Sequence, residues 1–186
     1  MARISYVDPA TITDPQLRAP LETAARRGTP RPESQAIRAH VPGILRTFSE
    51  TWEESFYRGA VPHEIKELCR MYVSKTGACE YCGTQRSQQS RELSDRDYDE
   101  LLDFRDSARY DDRQKAALEW TDTIIWDPHS AGDDLWERLH RHFTEPELVE
   151  LGYFIALTLG QQRWLATLDL THGDVHVDGA GTVEHP

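Results

Sequence analysis

Apolar residues recur at three- and four-residue spacing along nearly the whole chain, and most runs end on glycine or proline. That pattern predicts helices and little else. Asp14 to Arg27 carries Leu17, Leu21 and Ala24 and stops at Gly28, before the Thr29-Pro30-Arg31-Pro32 loop. Ser34 to Arg58 holds Ile37, Val41, Ile44, Leu45, Phe48, Trp52 and Phe56, with Pro42 as a kink or break and Gly59 as the stop. Pro62 opens a helix to about Thr76, closed by Gly77, and another is expected from about Ala78 to Leu93. Ser94-Asp95-Arg96-Asp97 and Thr144-Glu145-Pro146-Glu147 both read as capping boxes. Between them lie helical patterns over Asp112–Trp126 and Asp133–Phe143, and the last helix reaches about Leu170. Strand signals appear only at the end, where Val175, Val177 and Val183 flank Asp178-Gly179-Ala180-Gly181 as a small hairpin or a tail. The expectation is an all-α single domain of about seven or eight helices. Residues 1–32 form an N-terminal helix and loop, 33–170 the helical core, and 171–186 the C-terminal tail or hairpin.

The 186 residues carry 21 Lys+Arg against 32 Asp+Glu, a formal net charge of −11. Such a chain is a poor partner for nucleic acid or an anionic membrane surface. The longest apolar run, Leu151 to Gly160, is about half of the ~20 residues a spanning helix needs, and the first residues lack an apolar stretch of signal-peptide length. A cytoplasmic protein is the expectation. Nine acidic residues against three arginines fall between Glu92 and Asp112, which reads as a solvated helix face.

Three cysteines cannot pair completely, and two of them form Cys79-Glu80-Tyr81-Cys82. Two Cys at this spacing in the first turns of a helix bring their sulfurs close, and the helix start favours a thiolate. A thiolate that attacks an oxidant, with a second thiol to resolve the product, is the minimal equipment of two-cysteine redox catalysis. The bland alternatives are two small buried residues or half of a zinc site, though no second Cys-x-x-Cys or His pair accompanies them. Cys69 lies on a stripe with Ile65, Leu68 and Tyr72 and reads as a core thiol. Arg86, four residues after Cys82, is expected on the same helical face, where it would favour the thiolate. Glu67 reads as a surface residue partnered by Arg70 at i, i+3.

The stretch from Leu45 to Glu92 resembles the carboxymuconolactone decarboxylase superfamily, specifically its alkylhydroperoxidase D-like (AhpD-like) branch. Glu67, eleven intervening residues and Cys79-Glu80-Tyr81-Cys82 match the core motif of that branch. His40-Val41-Pro42-Gly43-Ile44-Leu45 and Trp52 resemble its entry helices. Glu147-Leu148-Val149-Glu150-Leu151 with Gln162-Arg163 resembles its late helix, where Asn-Arg is more usual. The resemblance implies an all-α fold, assembly as trimers or hexamers, Cys82 as attacking thiol, Cys79 as resolving thiol and Glu67 as base.

The motif's histidine is replaced by Arg86, which cannot accept a proton at biological pH. Arg86 would instead hold the thiolate, bind a substrate carboxylate or pair with Glu67, and His40 or His142 would be the substitute histidine. The leading expectation is a thiol-dependent, peroxidase-like oxidoreductase that reduces a small hydroperoxide with a dithiol electron donor, without cofactor or metal. One alternative is a related enzyme acting on an anionic metabolite, with Glu67 as acid or base and Arg86 as anchor. The other is a non-catalytic, redox-sensing oligomeric subunit. His172, Asp174, His176 and Asp178 alternate, so an extended segment would place them on one face as metal ligands, against the plainer reading of a polar tail.

Overall fold

The computed structural model describes residues 2–177, and every regular element among them is helical. The α-helices are α1 Pro15–Arg27, α2 Pro32–Arg38, α3 Pro42–Trp52, α4 His63–Thr76, α5 Glu80–Gly83, α6 Asp95–Asp99, α7 Asp112–Trp126, α8 Asp133–His142 and α9 Glu145–Ala166. The described residues form nine α-helices rather than seven or eight because Pro42 divides the run from 34 to 58. Its missing N–H costs nothing at the first position of α3, but it cannot continue α2. A π-helical turn, Glu53–Tyr57, then finishes α3. Both capping boxes form, at Ser94 and at Thr144. The side chain of Asp14 caps α1 by accepting from the Gln16 N–H at 2.9 Å.

Helix α4 runs through the interior, with His63 and every residue from Ile65 to Ser74 buried. Its Ile65 and Cys69 pack with Ala116, Trp120, Leu139, Leu151 and Ile155 of α7, α8 and α9. On another side, Leu68, Met71 and Tyr72 pack with Tyr98, Leu101, Phe104 and Leu118. Burial of each large apolar side chain contributes about 1.5–3 kcal/mol. Gly152 lets α9 approach α7, because a Cβ there would stand 2.7 Å from Trp120 Cη2. Polar residues of α4 must therefore find partners inside. Lys66 donates from Nζ to Glu150 Oε1 at 2.8 Å and to the Arg58 carbonyl at 2.5 Å. Cys69 is a core thiol, and burial raises its pKa to about 12.

The helix expected from Ala78 to Leu93 does not form; only its first turn, α5, is helical. Residues 84–93 carry no apolar stripe to bury, and partners elsewhere take their polar groups. Ser87 N–H donates to Glu67 at 3.0 Å, Gln88 N–H donates to the Arg27 carbonyl at 3.1 Å, and the Gln85 carbonyl accepts from Arg70 at 2.9 Å. Gly28, at φ +78°, makes room for this crossing, since a Cβ there would meet the Arg86 carbonyl oxygen at 2.4 Å.

At the C-terminal end no strand occurs among the described residues. Val175 and Val177 instead bury against Leu21, Ala36 and Leu45. The 178–181 turn and Val183 lie outside the described residues.

Candidate active site

The site begins where α4 stops. Gly77 keeps negative φ, and Ala78 takes the left-handed conformation at φ +46°. Ala78 N–H then donates to the Lys75 carbonyl and Cys79 N–H to the Ser74 carbonyl, both at 3.2 Å. This is a Schellman closure with alanine in the place glycine usually takes. It turns the chain sharply and delivers Cys79 and Cys82 to the end of α4.

Both thiols are free, Cys79 half-buried and Cys82 buried. A hydrogen bond joins the Cys79 and Cys82 side chains. That bond is the main cause holding Cys79 down at about 6, assisted by the Cys82 and Tyr81 N–H groups and by Arg31, against burial. The same bond, with burial behind it, pushes Cys82 well up, while Arg70 and Arg31 pull it back. The more exposed Cys79 is thus the thiol that gives up its proton more readily, and burial disfavours a thiolate at Cys82.

Arginines surround this pair. Arg31 donates to the Tyr81 carbonyl and to Thr84 Oγ1, each at 3.0 Å, and so clamps α5 from both ends. Arg70 is buried and grips Glu67, with Nε to Oε2 at 2.6 Å and Nη2 to Oε1 at 2.8 Å. Burial alone would pull Arg70 down, and the Glu67 carboxylate more than reverses it. The i, i+3 partnership of Glu67 therefore forms, but in the interior and not at the surface, because α4 is enclosed by its neighbours, and Ser87 N–H fills the remaining side of Oε1. Glu67 acts on the thiols through Arg70; its oxygens are committed to held donors.

Arg86 does not sit one turn beyond Cys82, because α5 ends at Gly83. Its Nη1 donates to the Gly83 and Gln85 carbonyls at 2.8 and 2.9 Å, and its guanidinium lies 4.2 Å from the Tyr98 ring centroid. It braces the crossing strand of chain. His40 is bound to the Ser5 carbonyl at 2.7 Å, and His142 ends α8. In sequence the histidine nearest Glu67 is His63, four residues and about one turn earlier on α4. Its Nδ1 donates to the Phe56 carbonyl at 2.9 Å, because a carbonyl can only accept. Nε2 therefore accepts from Ser87 Oγ at 2.8 Å. Burial lowers its pKa and keeps the ring neutral.

Each thiol opens onto its own cavity. A cavity of about 50 Å³ is lined by Cys79 with Thr76, Gly77, Leu159 and Arg163. Another of about 30 Å³ is lined by Cys82 with Arg38, Trp52, Arg70 and Thr158. Gln162 borders both. It is pinned by Ser74 Oγ, which donates to Oε1 at 2.8 Å, and by its own Nε2 donating to the Arg70 carbonyl at 3.0 Å. Thr29, Pro30 and Trp52 are shared between the Cys82 cavity and an open one of about 550 Å³ beside α1 and α3.

The alternating C-terminal residues have other partners. Asp174 accepts from Tyr6, and His172 stands 3.4 Å from the buried Glu33. No group of three or more His, Cys, Asp or Glu among the described residues is placed to hold a metal, and Asp178 lies outside them. No described helix is long and apolar enough to cross a membrane.

This all-α domain, with its Cys-x-x-Cys turn set against a buried central helix, shares its fold with solved AhpD-like structures. Structures similar to it include the debrominase Bmp8 in complex with 2,3,4-tribromopyrrole, 20% identical, with a TM-score of 0.76 over 92% of this chain and 93% of that one. An alkylhydroperoxidase AhpD core protein, an uncharacterized peroxidase-related protein from Ralstonia eutropha JMP134, is 18% identical with a TM-score of 0.75 over 93% of both chains. ATU0492 from Agrobacterium tumefaciens, a putative antioxidant defence protein AhpD, is 20% identical, with a TM-score of 0.63 over 73% of this chain and 94% of that one. No family model matches the sequence, and no curated protein does.

Proposed function

We propose that this protein is a thiol-dependent oxidoreductase that reduces a small hydroperoxide through Cys82 and Cys79. The observation that carries the reading is the hydrogen-bonded pair of free thiols, one acidic, each opening onto a cavity. The reaction needs no histidine relay, because Cys79 is itself the base. As Cys82 Sγ attacks the outer oxygen of the hydroperoxide, its proton passes along the existing hydrogen bond to the Cys79 thiolate. The O–O bond breaks, Cys82 becomes a sulfenic acid, and an alkoxide leaves and takes a proton from water. Cys79 then attacks Cys82 Sγ, its proton departs with the sulfenic oxygen as water, and a disulfide remains. A dithiol donor returns the two electrons and is itself oxidised to a disulfide. The arginines favour the moment at which negative charge passes to Cys82.

Consumption of hydrogen peroxide and of cumene hydroperoxide with dithiothreitol as donor tests this reading. Cys82→Ser and Cys79→Ser should each abolish turnover; variants as fast as the parent would overturn it. A purely redox-sensing subunit would instead change its assembly on oxidation without turning over.

A second substrate class is suggested by the likeness to the debrominase over nearly the full chain. The same two thiols would replace an aromatic C–Br bond by C–H, releasing bromide and leaving the disulfide. Bromide release from a brominated pyrrole distinguishes it. Assembly as a homo-oligomer and action in the cytoplasm belong to this proposal as well, with sedimentation as the check on the first and cell fractionation on the second.

A further inference from the structure

Arg38 is 3% exposed, yet no carboxylate pairs with it among the described residues. A buried cation without a countercharge is costly and is seldom retained without use. Gln35 and Gln161 each accept one hydrogen bond from its guanidinium, at 3.1 and 2.8 Å, and both are neutral amides. The flat faces are covered by Phe48, whose ring centroid is 3.6 Å away, and by Trp164 at 5.5 Å. The acidic groups close enough to act on it are Tyr81 and Cys82. Burial draws its pKa down to about 9, which still leaves it charged at neutral pH.

A second group in the same cavity is also short of a partner. The indole N–H of Trp52 is buried and makes no hydrogen bond, although buried polar groups are normally satisfied. Trp52 and Arg38 line the Cys82 cavity together, and its volume of about 30 Å³ suits one or two waters or a group of that size. The walls thus offer an uncompensated positive charge, a free N–H donor and a thiol. The complement of that set is one compact, negatively charged oxygen close to sulfur.

We propose that the cavity between Arg38, Trp52 and Cys82 is an oxyanion site, which in turnover receives the oxygen expelled from the hydroperoxide. The inference rests on the peroxidase reading above for its role, and on the cavity alone for the binding. As Cys82 Sγ takes the outer oxygen, the O–O electron pair goes to the inner oxygen. Arg38 and the Trp52 N–H hold that alkoxide until water protonates it. Donors fixed in advance at the position where charge develops stabilise the transition state more than the neutral hydroperoxide. The rest of the substrate would extend past Thr29, Pro30 and Trp52 into the open cavity beside α1 and α3.

Formate, a compact carboxylate, is the probe. Titrated at constant ionic strength, it should raise the Tm of the reduced parent protein and raise the KM for hydroperoxide without lowering kcat. Arg38→Gln should weaken formate binding about tenfold or more, as expected for a lost charge-assisted hydrogen bond, and lower kcat/KM by a similar factor. Arg38→Lys should recover part of both. Trp52→Phe keeps the ring and removes only the N–H, so it should weaken formate about threefold and carries the test should Arg38→Gln not fold. Formate binding that is absent from the parent, or equal in the parent and in folded Arg38 and Trp52 variants, would overturn the site. Arg38-dependent formate binding in a protein that turns over no peroxide would keep the site and sink the peroxidase reading.

Discussion

Arg70 holds both oxygens of Glu67, at 2.6 and 2.8 Å, three residues further along a helix where neither side chain reaches water. That grip makes Glu67 an anchor for the cation beside Cys82. Replacing Glu67→Gln leaves a buried guanidinium without its countercharge. It should lower the unfolding free energy by about 3–5 kcal/mol, read from urea denaturation. Glu67→Gln/Arg70→Met should regain part of that loss. On the proposed reading, with Cys79 as the base, the pH profile of peroxide turnover should keep its shape in whatever Glu67→Gln protein folds.

Cys79 should react with iodoacetamide along a curve centred near pH 6, since its pKa is held down at about 6. Cys82→Ala removes the donated hydrogen bond and should move the curve upward. The thiol has its ordinary pKa of about 8.5 when unfolded, so folding stabilises the thiolate. That contribution is fully present above the unfolded pKa and is lost as pH falls through 6. Unfolding free energy should therefore rise between pH 6 and 8 in the parent and less so in Cys79→Ala.

Ala78 carries the left-handed turn that glycine would adopt without strain. Ala78→Gly should stabilise the fold by about 1 kcal/mol in thermal or urea denaturation. A more mobile thiol turn should accompany the gain, measured as faster hydrogen exchange at the Cys79 and Tyr81 amides.

Gly152→Ala drives a methyl into Trp120, whose Cη2 would stand 2.7 Å away. A loss of about 1–3 kcal/mol is expected, with a lower Tm and a changed near-ultraviolet signal from the tryptophan.

Local rules made much of the helical frame readable. Asp112–Trp126 carries its own capping pair, Asp111 and Gln114, and its own apolar spacing, so α7 is where the sequence places it. The segment after the thiols was not readable, because its conformation is dictated from a distance. Ser87, Gln85 and Gln88 have no local preference strong enough to resist Glu67, Arg70 and Arg27. The site divides in the same way. Cys79 and Cys82 are marked by their own spacing and Glu67 by the resemblance, and the fold sets Arg70 on Glu67 and beside Cys82. Arg86 was marked too, as the residue in the histidine position, but a helix that ends three residues earlier sends it to Tyr98. Arg38 carries no signal in sequence, since an arginine in a helix ordinarily faces water. Only the packing of Phe48 and Trp164 over it shows that this one does not.

Gln162 stands between the two small cavities, tied to Ser74 on one side and to the Arg70 backbone on the other. On the proposed peroxidase reading, oxidant and reductant would then have separate doors. A donor too bulky ever to enter the arginine-lined chamber could still reload the disulfide from the Cys79 side. Its saturation would leave hydroperoxide entry unobstructed, so the choice of donor and the choice of peroxide would be free to evolve independently.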